Sequence, residues 1–172
     1  HFDRLDGRGR GRLAPLGRAA VRIAHADGRD ETVTFGDLSE ASSRFAHWLE
    51  ASGVAAGDRV AIMLEPSRDF YVALFGAMKR GAVAVPLFTL FGPDGLRLRV
   101  DDCRPALLLT DAAHADLARG IEGPAVVVTG AAFAEAFAAM PARYEAATAS
   151  GDMAMYQYTS GTTRELPEAV KH

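Results

Sequence analysis

The densest run of side chains able to do chemistry is Thr159-Ser160-Gly161-Thr162-Thr163, four hydroxyls around one glycine. It directly follows Met153 to Tyr158 (MAMYQY), a segment suited to a strand. A hydroxyl-rich loop just past a strand suits an anion. Gly161 permits close approach of the backbone, and hydroxyl and N–H groups can wrap phosphate oxygens as a nest does. Hydroxyl-rich turns are equally common as plain structure, so spacing alone leaves both readings open. The loop is not of the Walker type, because no G-x-x-x-x-G-K-[ST] occurs in the chain.

Other reactive residues read as structural. His114 lies between Asp111 and Asp116 (DAAHAD), but no second histidine stands at ligand spacing, so a surface helix start is expected there. His25 and His47 are isolated. Cys103 falls on an apolar helical face and reads as a small buried hydrophobe. Phe70, Tyr71 and Phe75 read as core rather than an acyl slot. Lys79-Arg80 reads as a solvated helix end rather than a phosphate-attracting pair, and Asp101-Asp102 as surface carboxylates.

The elements that must position these residues follow from pattern. Val21 and Ile23, a turn at Asp27-Gly28, then Val33 and Phe35 predict a hairpin. Thr34 with Asp37 three positions on predicts a capped helix. Leu38, Ala41, Phe45, Trp48 and Leu49 form its apolar face, and Gly53 its stop. Arg59 to Leu64 reads as a buried strand. Ser67 and Asp69 open a second helix with Phe70, Leu74, Ala77 and Met78 as its stripe, ended by Gly81. Ala82 to Phe88 is a second buried strand, made irregular near its end by Pro86. Pro93 and Asp94 start a helix facing inward through Leu96, Val100 and Cys103. Pro105 to Asp111 is a third strand, about Ala112 to Arg119 a short helix, and Ala125 to Thr129 a fourth strand. Phe133, Phe137 and Met140 mark an Ala-rich helix, and Pro141 to Asp152 a surface connection. Strands that are almost wholly apolar and alternate with helices predict an α/β fold: a mostly parallel sheet with helices on both faces.

Composition narrows the function classes. Hydrophobic residues are 49 % and charged residues 24 %, which excludes a disordered or collagen-like chain. The 172 residues fit one domain or a piece of a larger protein. A net charge of −3 supplies no basic field for nucleic acid. One cysteine excludes an internal disulfide or a thiolate zinc cage and fits a cytoplasmic setting. The longest apolar run, Gly81 to Leu90, is too short for a transmembrane segment. Residues 1–19 alternate arginine with glycine and read as a flexible basic segment, with 20–172 as the domain proper.

Three ordered segments carry a resemblance. Tyr158-Thr159-Ser160-Gly161-Thr162-Thr163, followed by Leu166 to Val170 (LPEAV), resembles the phosphate-binding loop of the AMP-forming acyl-CoA synthetases. That superfamily includes acyl-CoA ligases, peptide-synthetase adenylation domains and luciferases. Thr32 to Leu38 (TVTFGDL) and Met78 to Phe88 (MKRGAVAVPLF) resemble two earlier signatures of the same family. Leu87 to Leu96 (LFTLFGPDGL) is most similar to the acetyl- and medium-chain branch.

The resemblance implies the N-terminal part of the large domain of a two-step ligase. A carboxylic acid attacks the α-phosphorus of ATP to give an acyl-adenylate and pyrophosphate. Coenzyme A then displaces AMP. Thr159, Ser160, Gly161, Thr162 and Thr163 would hold the β- and γ-phosphates, with Mg2+ offsetting the meeting of two anions. The implied partners are a small or medium carboxylic acid, ATP and coenzyme A, with a homodimer possible and fatty acid metabolism as the setting. The loop departs from the family pattern. Arg164-Glu165 stands where one glycine is usual, and Glu168 takes the place of a lysine, a role Arg164 or Lys171 could fill. The family's magnesium-binding acidic motif, ribose-binding aspartate, hinge and mobile C-terminal domain do not occur in these residues. The expectation is therefore a portion of a synthetase that is inactive alone. The rival readings are an amino-acid or aryl-acid adenylation domain that loads a carrier protein, and a non-catalytic nucleotide-binding fragment.

Overall fold

The structure is a computed structural model that describes residues 15–25, 27–158 and 169–171. Two antiparallel strands, β1 (Ala19–Ala24) and β2 (Asp30–Thr34), open it as a hairpin in which Val21 faces Val33. Helix α1 (Phe35–Ala51) starts at the expected residue. The Thr34 side chain accepts from the backbone N–H of Asp37 at 3.1 Å, and the Asp37 carboxylate accepts from the N–H of Thr34 at 3.2 Å. This reciprocal box satisfies donors that a helix start otherwise leaves bare.

A parallel sheet follows. Its strands are β3 (Arg59–Met63), β4 (Val83–Pro86), β5 (Leu107–Thr110) and β6 (Ala125–Val128), in the order β4-β3-β5-β6. Helices α2 (Arg68–Arg80), α3 (Pro93–Cys103) and α4 (Ala115–Arg119) connect them in turn, and α5 (Ala131–Ala138) comes after β6. Successive residues of β3 go to opposite cores. Val60 and Ile62 pack with α1 and α2, whereas Ala61 and Met63 pack with α3 and α4. Both faces of the sheet are therefore covered, which is why its strands are apolar at nearly every position. Chain order runs from β3 outward to β4, then back across to β5. That puts α2 and α3 on opposite faces, as right-handed crossovers in opposite directions require.

The second helix corrects its expected stripe. The buried positions are Val72, Ala73, Gly76, Ala77 and Lys79, while Phe70, Leu74 and Met78 are only half-buried. Small residues bring α2 against α1, and bulk is left to the flanks. Lys79 is a second correction: it is buried rather than solvated. Its ammonium donates to the Ser39 carbonyl and the Ser43 hydroxyl of α1, each at 2.9 Å. A buried charge persists only where polar groups meet it.

Beyond α5 the chain crosses α1. The Arg44 guanidinium donates to the carbonyls of Ala138 and Met140 at 2.5 Å, and His47 Nε2 lies 2.8 Å from the Arg143 carbonyl. It then returns to the sheet as β7 (Tyr156–Tyr158), paired antiparallel with β8 (Ala169–Lys171).

Candidate functional site

In open parallel sheets ligands gather beyond the carboxyl ends of the strands. Here that rim carries several polar groups. After β3 and β4, the Thr89 hydroxyl donates to the Glu65 carboxylate. After β5, the Asp111 carboxylate lies 2.7 Å from His114 Nδ1 and 3.0 Å from the His114 backbone N–H. His114 thus stands at the start of α4, the expected position, held in place by Asp111. The Thr110 hydroxyl is fully buried and has no hydrogen-bond partner among the described residues. Phe88 and Leu90 stand exposed on the same rim.

The hydroxyl-rich loop is reached through β7. The Ala154 carbonyl accepts a hydrogen bond from the Ala84 N–H at 3.0 Å, and Met155 bridges Ala84 in parallel. The segment therefore runs alongside β4 in the same direction, and its forward end points to the carboxyl rim. Thr159, Ser160, Gly161, Thr162 and Thr163 lie outside the described residues, as do Arg164, Glu165 and Glu168. Lys171 pairs opposite Tyr156, while Ala169 pairs opposite Tyr158. Along the strand pair, Lys171 is thus two positions farther from the loop than its base.

Tyr158, the residue before the loop, is held closely. Only 8 % of it is exposed, within the core between the sheet and α3. Its hydroxyl donates to the Asp102 carboxylate at 2.7 Å and lies 3.2 Å from the Arg99 carbonyl. The Arg99 guanidinium lies 3.7 Å above the Phe91 ring and 5.5 Å from the Tyr158 ring. It also donates to the Gly95 carbonyl at 2.8 Å, and its Nε is buried without a partner among the described residues. Burial, and then the Asp102 carboxylate, push the Tyr158 phenol far above its ordinary range. Burial likewise raises the Cys103 thiol and lowers the Arg99 guanidinium from its usual value. Tyr158 is thus a neutral donor, and Cys103 is a buried thiol, as its helical position predicts. Asp102 is exposed as expected, but it has a specific task that its sequence neighbours do not reveal. Its partner lies 56 positions away in the chain.

Among the described residues, no three His, Cys, Asp or Glu side chains come together to hold a metal ion. No described residue is assigned to Mg2+. No described helix is long and apolar enough to cross a membrane.

With this geometry in place, comparison with known proteins is specific. Residues 13–164 match the family model described as AMP-binding enzyme. The chain belongs to that family. Over 170 residues it is 34 % identical to the 3-hydroxybenzoate–CoA ligase of Aromatoleum sp. (strain CIB), covering 92 % of this chain and 32 % of that ligase. It is 29 % identical over 142 residues to a linear gramicidin synthase of Brevibacillus parabrevis, covering 83 % of this chain and 3 % of that protein. The crystal structure of the Brucella canis acyl-CoA synthetase superposes with a TM-score of 0.84 at 30 % identity, over 93 % of this chain and 31 % of that one. The chain thus spans about a third of the length of the ligase and the synthetase. Fold and family agree with the sequence reading: this is the N-terminal part of the adenylate-forming fold.

Proposed function

We propose that this chain forms the nucleotide-side portion of an AMP-forming acid–thiol ligase. Residues 159–163 cradle the β- and γ-phosphates of ATP. One observation supports the reading most: the described segment before residue 159 is laid parallel to β4 and heads toward the rim where open α/β sheets take ligands. The hydroxyls and backbone N–H groups of Thr159, Ser160, Thr162 and Thr163 would bind and orient the phosphates so that pyrophosphate departs in line with the attacking carboxylate. They transfer no proton. Mg2+ would accompany the ATP phosphates, whose charge it offsets. Lys171, or Arg164, supplies the cation that Glu168 does not.

The acid is a small or medium carboxylic acid. Similarity to a hydroxybenzoate ligase favours an aromatic acid, whereas residues 87–96 favour the acetyl- and medium-chain branch and hence fatty acid metabolism. The single cysteine favours a reducing, cytoplasmic setting. A second reading follows from similarity to a gramicidin synthase: an adenylation unit that passes its acyl group to a carrier protein.

The test is acid-dependent ATP–pyrophosphate exchange by the polypeptide isolated from its native source, across hydroxybenzoates and aliphatic acids of two to eight carbons. The expected result is exchange with one acid class, and a KM for ATP that rises about tenfold or more when Thr162 and Thr163 are both changed to Ala, as loss of charge-assisted hydrogen bonds predicts. Unchanged affinity for ATP in that variant would refute the loop assignment. Product formed with coenzyme A supports the ligase, and product formed only with a carrier protein supports the second reading. An intact mass near 18.3 kDa with no exchange would leave the non-catalytic reading.

A further inference from the structure

The strand that delivers the loop is only three residues long, and strands this short do not fix their own position. It pairs with β8, and the residues just before it, Ala154 and Met155, meet β4 at Ala84 through one hydrogen bond and one bridge. Tyr156 packs against the core between the sheet and α3, and the Tyr158 side chain adds a polar restraint by reaching across the sheet face to α3. Its hydroxyl donates its one proton to the Asp102 carboxylate at 2.7 Å, with the Arg99 carbonyl a second, more distant acceptor at 3.2 Å. The ring lies against an arginine that is itself pinned on Phe91 and Gly95. Helix α3 cannot shift freely, because Leu96, Val100 and Cys103 are buried in the same core. A rigid helix thus grips the last residue before the loop.

We infer that Tyr158 and Asp102 act as a positioning pair that sets where residues 159–163 start, and so tunes affinity for the nucleoside triphosphate rather than for the acid. This rests on the reading of residues 159–163 as the phosphate loop. Tyr158→Phe keeps the ring and its packing and removes only the hydroxyl. Asp102→Ala removes the acceptor from an exposed position, so neither change opens a cavity in the core.

The test is a double-mutant cycle read as KM for ATP and KM for acid in pyrophosphate exchange by the full-length protein, with thermal midpoints measured alongside. Loss of one charge-assisted hydrogen bond should raise KM for ATP about tenfold in either single variant, leave KM for acid within about twofold, and add nothing further in the double variant. A purely structural role would lower the midpoint and leave KM for ATP unchanged. That outcome overturns the inference, as does a parallel rise in both KM values or additive effects. Thr162→Ala with Thr163→Ala serves as the reference. If it raises KM for ATP while Tyr158→Phe does not, the positioning pair fails alone. If it changes nothing, the loop reading fails and takes the pair with it.

Discussion

Gly76 offers a prediction whose sign is set by a contest between two effects. It sits inside α2, where alanine is ordinarily favoured over glycine by about 1 kcal/mol. Yet a Cβ built at Gly76 would stand 2.6 Å from Phe45 Cδ1, 3.0 Å from the Ser42 carbonyl oxygen and 3.1 Å from Phe45 Cβ. Two of these are fixed. The Ser42 oxygen is α1 backbone, and Phe45 Cβ moves only with it. The ring cannot swing aside either. It is fully buried, with the rings of Trp48, Phe133 and Phe137 at 5.5, 5.8 and 6.2 Å between centroids. Relief must come from separating α1 and α2, and overpacking of this kind costs about 1–3 kcal/mol. Set against the gain in helix propensity, the net expectation for Gly76→Ala is a loss of about 1 kcal/mol, with a thermal midpoint lower by about 2–4 °C. The matched control is Gly95→Ala in the first turn of α3. There the new methyl would meet Phe91 and Arg99 at 3.6–3.7 Å, which is ordinary contact. That variant should gain between a few tenths and about 1 kcal/mol. Urea unfolding of both variants and the parent checks the pair, with equal slopes required so that midpoints report stability. A neutral or stabilising Gly76→Ala alongside a stabilising Gly95→Ala would refute close α1–α2 packing through this glycine.

Two more expectations follow from the first helix and from α3. Thr34→Ala breaks the capping box and should cost about 1 kcal/mol near neutral pH. The Thr34 hydroxyl and N–H hold the Asp37 carboxyl below its ordinary value of 3.8. Its folded pKa therefore lies below the unfolded one. This contribution is present above the ordinary carboxylate range and is lost as pH falls through the lowered value. The gap between the urea midpoints of parent and Thr34→Ala should accordingly narrow from pH 6 to strong acid without closing, because the bond from the Asp37 N–H to the Thr34 hydroxyl does not titrate; a gap that widens on acidification would count against it. Cys103 is 3 % exposed and its thiol is raised by burial, so a thiol-reactive disulfide reagent should label the native chain far more slowly than the urea-unfolded chain. Equal rates would place Cys103 outside the core.

Much of the fold is legible in the sequence because local and global signals agree. Apolar runs such as Leu107 to Leu109 are buried on both sides, so no alternation competes with the parallel-strand reading. Thr34 and Asp37 announce a helix start through bonds spanning three residues, which sequence displays directly. Strand order is not legible, since a parallel pattern does not say on which side of β3 each crossover lands. Pattern misplaces Lys79 because groups that receive its ammonium, Ser39 and Ser43, lie on another helix 36 to 40 positions away in the chain. It misplaces the α2 stripe because large side chains dominate any hydrophobic pattern, whereas Gly76 and Ala73 are buried for being small. The loop's hydroxyls are visible as chemistry, and the residue that holds their base is not. Asp102 looks like any surface carboxylate until the chain returns 56 positions later with Tyr158. That division has a physical cause. Elements that bury many apolar groups write themselves into local periodicity. A three-residue strand is too short to show a periodicity, and the Tyr158–Asp102 contact that helps hold it exists only once the tertiary fold has formed. The accuracy of the rim therefore depends most on residues whose types look least distinctive in isolation, and a search for further determinants belongs on the inward side of α3 rather than in the loop itself.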